Sequence, residues 1–486
     1  MSGTIAVLSK KRENATETAV TMLKALKLKK PEAYGIASPT IVKTISLEAL
    51  QDQDLNSPTM IGYAMSRIKQ GKTELLKLRD AALVFDGRIY RVDKENADAA
   101  TAAKKLQHHH EQAAKTFVKQ TEGDFIFVIA ESERIIAGRD VMGVRPLYYG
   151  ENANFAALAS ERKALWRIGI EKTDSFPPGY VALIDKHDLR FAPARKLAFS
   201  KLKRITMRTA AKKLQMLLEQ STKERVCGLK EVAVAFSGGL DSSIIAFLAK
   251  NSGISVHLIH VSLENQPETE YARQAAEELE LPIHSYTYIE EDIQKILPNV
   301  LQLIEEPDPV KVSIGIPVYW AAEKTAGMNL RVMLAGQGAD EIFGGYRRYV
   351  DCYLRYGSEK VEEIIFKDIV RMCETNFERD SKICNFHNVE LRLPFASYRI
   401  AKFAIDLPLK LKIRPSRNTL RKLVLRQAAK RLGLPESIVN RPKKAIQYAT
   451  GVNKTLKEIA RKKGLSMSEY LQKTFQATFK ETIPHE

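Results

Sequence analysis

A serine- and glycine-rich segment near the middle of the chain has the residue types of a phosphate-binding loop. Ser237–Ser243 (SGGLDSS) follows an apolar run, Val232–Phe236, and opens a stretch with helical spacing. Glycines let the backbone approach phosphate oxygens, serine hydroxyls add donors, and the first N–H groups of the helix attract an anion. The carboxylate of Asp241 is suited to holding Mg²⁺ against the phosphates. Because no Lys-Ser/Thr pair follows the second glycine, this is not a Walker A loop.

A second glycine-rich segment carries two adjacent carboxylates. Gly336–Tyr346 (GQGADEIFGGY) follows another apolar run, Leu330–Ala335, and contains Asp340 and Glu341. Parallel sheets place ligands at the carboxyl ends of their strands. We therefore expect both segments to face one ligand site.

The elements around the first segment are those of a βαβ unit. A helix of apolar residues follows the loop, and a second apolar strand, Val256–Val261, comes next. Fully apolar strands joined by a helix are typical of a buried parallel sheet. Helical periodicity dominates from Tyr349 onward. The second half is therefore predicted to be an α/β unit with a helical C-terminal part.

The front of the chain has a different pattern. Short β-like runs such as Ile5–Leu8 and Asp124–Ile129 alternate with turn signals and with helical stretches such as Ala15–Leu28. This predicts a sheet-rich α/β or α+β unit. The composition turns basic and polar near residues 195–206, so we place two domains at residues 1–200 and 205–486.

Composition limits the class of protein. The chain has 486 residues, 44% of them apolar, which predicts large globular cores. The longest apolar run, Phe125–Ala130, is far below the ~20 residues needed to cross a bilayer. Four cysteines without a C-x-x-C pair do not form a disulfide framework, and no targeting signal is recognisable. We expect a cytoplasmic protein with no membrane partner.

The net charge of +18 is concentrated at the C-terminal end, where residues 401–486 hold 20 Lys and Arg against 6 Asp and Glu. This excess of positive charge predicts an anionic binding partner. Both a polyphosphate nucleotide and a nucleic acid are anionic partners of this kind.

The motifs resemble known families. SGGLDSS is similar to the PP-loop of the N-type ATP pyrophosphatases, which leave the α-phosphorus of ATP open to attack by an oxygen nucleophile, giving AMP and pyrophosphate. GQGADEIFGGY resembles the signature of the asparagine synthetase family, and three later segments match in the same order: Asn376–Asp380 (NFERD), Val389–Phe395 (VELRLPF) and Arg441–Lys444 (RPKK). The likeness spans residues ~205 to ~455.

The resemblance implies roles for individual residues. Asp241 and Asp340 would bind Mg²⁺, and Lys443 would stabilise negative charge on the phosphates during adenylation. The residues assigned to ATP are Phe236, Ser237, Gly238, Gly239, Asp241, Ser242, Ser243, Val261, Ala335 and Gly336.

One position departs from the family pattern. The family usually has a Glu at Gln337, thought to guide or deprotonate the incoming amine, and an amide does not accept a proton at neutral pH. Either Glu341 or water takes that role, or the amine is not ammonia.

The front half resembles class II glutamine amidotransferase domains, which have the Ntn-hydrolase fold and use an N-terminal cysteine as nucleophile. Gly123–Tyr149 and Ala159–Leu165 carry the likeness. Here Ser2 stands where the cysteine is expected, and Asp86 replaces the family's oxyanion Asn, where a carboxylate would repel a developing negative charge. The glutamine-binding Arg is also missing around Gly62–Met65. We predict an inactive glutaminase; the alternative is that Ser2 acts as nucleophile.

Three classes of function follow. The leading hypothesis is an ATP-dependent ligase that adenylates aspartate and transfers ammonia to it; a close variant uses another amine or carboxylate, as the β-lactam-forming relatives of the family do. An RNA-modifying PP-loop enzyme is the second class, motivated by the basic C-terminal region, and a non-catalytic nucleotide sensor is the third. The family often forms homodimers through the front domain.

Overall fold

The computed structural model describes residues 2–29, 33–39, 42–45, 55–65, 75–90, 98–200 and 204–480. The chain divides into two compact units. The first comprises Met1–Lys196, Asn385–Asn388 and Gln476–Glu486, and the second comprises Leu197–Cys384 and Val389–Phe475. Within the described part, no helix is both long enough and apolar enough to cross a membrane.

The first unit is built on two antiparallel sheets. Its strands are β1 (Ser2–Ser9), β2 (Ala33–Ala37), β3 (Val42–Ile45), β4 (Thr59–Met65), β5 (Leu75–Lys77), β6 (Ala82–Ile89), β7 (Gly123–Ala130), β8 (Ile135–Arg139), β9 (Tyr148–Glu151), β10 (Phe155–Ala159), β11 (Asp174–Ser175), β12 (Tyr180–Ile184) and β13 (Leu189–Pro193). Its helices are α1 (Thr16–Ala25), α2 (Asp98–Leu106), α3 (His110–Gln120) and α4 (Arg162–Trp166). The described strands run in the orders β11-β9-β10-β1-β4-β2-β3 and β13-β12-β8-β7-β6-β5.

The two sheets pack face to face and carry helices on their outer faces. Successive side chains of β1 point to opposite faces of its sheet. Ala6 and Leu8 join the core between the two sheets, whereas Ile5 and Val7 pack with α1 on the outer face. On the other side, α2 and α3 cover β6 and β7 through the phenylalanine cluster around Phe117. This layered α+β arrangement is the Ntn-hydrolase type expected from the sequence.

The second unit has a parallel sheet surrounded by helices. Its strands are β14 (Glu231–Ala235), β15 (Ser255–Leu263), β16 (Ile283–Tyr288), β17 (Val332–Leu334) and β18 (Glu390–Arg392). Its helices are α5 (Met207–Val226), α6 (Leu240–Lys250), α7 (Glu268–Glu278), α8 (Glu290–Ile304), α9 (Pro309–Gly327), α10 (Ala339–Phe343), α11 (Arg347–Tyr356), α12 (Ser358–Val370), a π-helical turn (Cys373–Phe377), α13 (Glu378–Phe386), α14 (Tyr398–Ile405), a 3₁₀ turn (Leu409–Leu411), α15 (Leu423–Leu432), α16 (Glu436–Val439), α17 (Ile446–Ala449), α18 (Val452–Lys462) and α19 (Met467–Phe479).

Strand order brings the two glycine-rich loops together. The order is β16-β15-β14-β17-β18, and every neighbouring pair is parallel. The chain therefore moves outward from β14 in one direction through β15 and β16, and then crosses back to β17 on the other side. Such a switch point opens a crevice at the carboxyl ends of the two central strands. The loops that follow β14 and β17 border this crevice.

The observed elements differ from the predicted ones mainly at their ends. The apolar run Leu330–Ala335 forms only the short strand β17, because the loop that carries the second motif begins directly after it. The helix predicted over Ala15–Leu28 ends at Ala25, where Leu26 takes an extended conformation and packs in the core of the first unit.

Candidate active site

A cavity of about 530 Å³ lies in the second unit at the ends of β14 and β17. Its volume is in the range of pockets that hold a nucleotide-sized ligand. Eleven of the predicted site residues line it: Phe236, Ser237, Asp241, Ser242, Val261, Ala335, Gly336, Gln337, Asp340, Glu341 and Lys443. Gly238, Gly239 and Ser243 do not line it; the two glycines shape the loop, and the Ser243 side chain is buried in α6.

The glycines of the first loop are needed for close packing. Gly238 has φ +65°, and a Cβ there would lie 2.8 Å from the Ala272 Cα. Gly336 of the second loop leaves room for the first loop, because a Cβ at position 336 would lie 2.9 Å from the Asp241 Cβ. Only glycine at 336 lets the two loops approach closely enough to place Asp241 beside the end of β17.

Two carboxylates and a buried lysine form the centre of the site. The Nζ of Lys422 lies 2.8 and 2.6 Å from the two oxygens of Asp241 and 2.6 Å from Oδ1 of Asp340. The Lys422 side chain is 2% exposed. A single ammonium group thus bridges the two loops and compensates the repulsion between their carboxylates.

Lys443 adds a second cation to this centre. Its Nζ lies 2.8 Å from Oδ2 of Asp340 and 3.7 Å from Oδ2 of Asp241. Burial alone would raise the pKa of Asp340, but the charges of Lys422 and Lys443 outweigh it and hold that pKa well below its usual range. Burial disfavours the charged form of Lys443, and the neighbouring aspartates outweigh it, so its pKa is raised. Both groups are therefore charged at neutral pH.

Lys422 is a residue that the sequence analysis missed. It lies directly before α15 with φ +60°, in a region where basic residues are frequent. Nothing in the local pattern separates it from its neighbours Arg421 and Arg426. Only the fold shows that the Lys422 side chain is buried and contacts both carboxylates.

Replacing Lys422 by methionine is expected to destabilise the second unit by about 3 kcal/mol, because two partly buried carboxylates lose their shared partner. Urea unfolding followed by circular dichroism measures the change. Lys454→Met, at an exposed position, is the control and should shift stability by less than about 0.5 kcal/mol. Added MgCl₂ should recover part of the loss only in the Lys422 variant; equal stability of both variants would contradict the assignment.

Glu341 sits in a buried hydrogen-bonded group beside the carboxylate centre. Its Oε1 accepts hydrogen bonds from the Tyr346 hydroxyl at 2.5 Å and from Nδ2 of Asn376 at 2.7 Å. Burial, with the nearby charge of Asp340, raises the pKa of Glu341. A carboxylate with a raised pKa is suited to accepting a proton during a reaction.

Gln337 is held by a neighbouring carboxylate. Its Nε2 donates to Oδ2 of Asp380 at 2.7 Å, and the Nε of Arg379 donates to Oδ1 of the same residue at 2.7 Å. This contact engages one of the two N–H groups of the amide, so the other N–H group and the carbonyl oxygen are available to a ligand.

The donor set fits a magnesium ion brought by a nucleotide. Asp241 and Asp340 supply oxygen ligands close enough for one ammonium to contact both, and Mg²⁺ commonly uses one or two carboxylates together with phosphate oxygens and water. No cluster of three or more His, Cys, Asp or Glu suited to caging a metal occurs among the described residues. Phosphates would have to complete the coordination.

Asp86, predicted from the sequence to replace an oxyanion Asn, is buried in the first unit. Asp86 lies in β6, and its Oδ1 is 3.9 Å from Nη1 of Arg145; both side chains are less than one-tenth exposed. Gly87 beside it has φ +141°, and a Cβ there would lie 2.1 Å from the Asp124 carbonyl oxygen. The backbone beside this buried carboxylate is therefore closely packed.

The parallel sheet, its SGGLDSS loop and the paired carboxylates define a PP-loop ATP-utilising unit, which follows an Ntn-type unit in the chain. The family model "Asparagine synthase" matches residues 213–359 and 353–483, and the model "Glutamine amidotransferase domain" matches residues 65–167. The chain belongs to the asparagine synthetase family, whose activity is that of an ATP-dependent carbon–nitrogen ligase.

Curated relatives support this assignment. A Methanocaldococcus jannaschii protein described as a glutamine-hydrolysing asparagine synthetase is 32% identical over 396 residues, covering 72% of this chain and 73% of the relative. Asparagine synthetase 2 of Arabidopsis thaliana, also described as glutamine-hydrolysing, is 26% identical and covers 77% of this chain and 68% of its own length.

Proposed function

We propose that this protein adenylates the side-chain carboxylate of aspartate with ATP and transfers ammonia taken from solution to it, releasing asparagine, AMP and pyrophosphate. The observation that carries the proposal is the pair of carboxylates, Asp241 and Asp340, held with Lys422 and Lys443 at the mouth of the phosphate loop. A reaction that develops negative charge on phosphates needs such a preorganised set of charges.

The nucleotide is oriented by two kinds of surface. Phe236, Val261 and Ala335 offer an apolar wall for the adenosine, and the loop Ser237–Ser243 offers N–H groups for the outer phosphates. Magnesium, when bound, neutralises part of the phosphate charge. Lys443, already fixed beside Asp340, stabilises the charge that spreads over the α-phosphoryl group.

A carboxylate-bearing substrate is supported by Arg379. Its side chain is 2% exposed and lines the cavity, and its Nη2 has no hydrogen-bond partner in the described part of the chain. A buried guanidinium with a free donor favours an anionic ligand.

The amine is positioned by Gln337 and deprotonated by Glu341. Asp380 holds one N–H of the Gln337 amide and so orients it, and the carbonyl oxygen of Gln337 then accepts a hydrogen bond from the amine. Burial and the nearby charge of Asp340 raise the pKa of Glu341, which suits this carboxylate to accept the proton of the amine.

The decisive experiment measures pyrophosphate release with ATP, Mg²⁺, aspartate and ammonium. Release should require aspartate, and asparagine should form in equal amount with AMP. Pyrophosphate release that is independent of aspartate, or cleavage of ATP to ADP, would refute the proposal.

Free ammonium is expected to be the nitrogen source, because the sequence predicts Asp86 in place of the oxyanion Asn, and its buried carboxylate would repel a developing negative charge. Glutamine should support asparagine formation at less than about one hundredth of the ammonium rate, the loss expected when oxyanion stabilisation is removed. Ser2→Ala should leave the ammonium-driven rate unchanged. A glutamine-driven rate that equals the ammonium rate and is lost in Ser2→Ala would show an active glutaminase instead.

A second candidate keeps the adenylation but changes the acceptor. Gln337, tied to Asp380 at 2.7 Å, motivates an amine or carboxylate other than those of asparagine synthesis. A panel of amino-acid carboxylates and primary amines, assayed for pyrophosphate release, separates this candidate from the first. Salt-sensitive retention of RNA would instead favour the nucleic-acid class.

A further inference from the structure

The segment that carries Lys443 is fastened to the first turn of α7 by a single carboxylate. The oxygens of Glu268 contact two cations of that segment, Arg441 through Nη2 and Lys444 through Nζ at 2.8 Å. The Glu268 side chain is 13% exposed. Lys443 lies between these two cations in sequence and points instead to Asp340.

Further contacts hold the segment against the phosphate loop. Nη1 of Arg441 donates to the Gly238 carbonyl oxygen at 2.9 Å, and its guanidinium lies 4.6 Å from the centre of the Tyr271 ring. The Leu263 N–H donates to the Thr450 carbonyl oxygen at 3.0 Å, which ties the far end of the segment to the end of β15. Between these ties, residues 443–447 together with Ala449 and Thr450 line the cavity.

We propose that Glu268 is a positioning residue for the adenylation step: it anchors Arg441 and Lys444 on α7 so that Lys443 is directed at the phosphates. The proposal rests on the proposed function of the site. The geometry separates the roles of the three cations, since the outer two are held by Glu268 and only the middle one reaches the carboxylate centre. An ammonium group displaced by about 1 Å loses much of its effect on a transition state.

The test compares Glu268→Gln, which keeps the size but removes the charge, with Glu268→Asp, which keeps the charge. Glu270→Gln is the control, because Glu270 lies in the same helical turn, is 63% exposed and contacts Arg273 instead. In Glu268→Gln, kcat for pyrophosphate release should fall about 10- to 100-fold with KM for ATP little changed. Glu268→Asp should recover part of the rate, and Glu270→Gln should match the unaltered protein.

A readout without catalysis accompanies the kinetics. Trypsin cleavage after Lys443 and Lys444 reports opening of the segment, and it should be faster in Glu268→Gln than in the unaltered protein and in Glu270→Gln. A raised KM for ATP with unchanged kcat would overturn the proposal, since Glu268 would then contact the nucleotide itself. Equal cleavage rates in all proteins would also overturn it. If the unaltered protein releases no pyrophosphate, the proposed function fails, while the cleavage rates still decide whether Glu268 anchors the segment.

Discussion

Asp340→Asn is expected to lower pyrophosphate release by about 10³-fold, because the substitution removes the negative charge of a proposed magnesium ligand that is also the partner of Lys443. The pKa of Asp340 is held well below its usual range, so the carboxylate is ionised throughout the neutral range and its full charge is lost in the variant. Asp241→Asn should have a similar effect. A coupled pyrophosphate assay at saturating ATP, aspartate and ammonium measures both.

The fold should survive this change. Lys422 keeps its contact with Asp241 at 2.6 Å, so the buried ammonium is not left without a partner. The control is Asp351→Asn, since Asp351 is 40% exposed and pairs with Arg417 on the surface. Near-ultraviolet circular dichroism should be the same for all variants. Full activity of Asp340→Asn at low Mg²⁺ would mean that the metal assignment is wrong.

Lys443→Ala is expected to reduce kcat by about 10²- to 10³-fold, the loss typical for removing one fixed group that stabilises a developing charge. The side chain is held 2.8 Å from Asp340, so little reorientation is needed at the moment of reaction. KM for ATP should change much less than kcat, because the effect belongs to the transition state. Steady-state kinetics with varied ATP separate the two parameters.

Two further variants define what Lys443 contributes. Lys454→Ala removes a lysine from the neighbouring helix α18, where the side chain is 84% exposed, and should leave kcat unchanged. Lys443→Arg keeps the charge but replaces a compact ammonium by a planar group, so only part of the rate should return. If Lys443→Ala retained the full rate, the lysine would be only a member of the basic surface.

The sequence predicted those parts of the site that depend on neighbours in the chain. The sequence predicted β14 and β17 and the two loops after them, because each of these strands is an apolar run followed by a glycine-rich segment. Because parallel strands align their carboxyl ends, the meeting of these loops at one edge could also be expected before any coordinates were known. Asp241, Asp340 and Lys443, separated widely in sequence, do lie within contact distance in the structure.

Tertiary structure alone decided which charged side chains pair with one another. Lys422 and Glu268 carry no local signal, because each is one of many lysines or glutamates in or beside helices. Their importance arises only when distant parts of the chain come together. The same is true of the amide of Gln337, whose direction is set by Asp380. The periodicity of a sequence predicts which face of a helix or strand is apolar. The partner of a buried charge depends instead on how several elements pack together, and this information is not contained in any single stretch of residues.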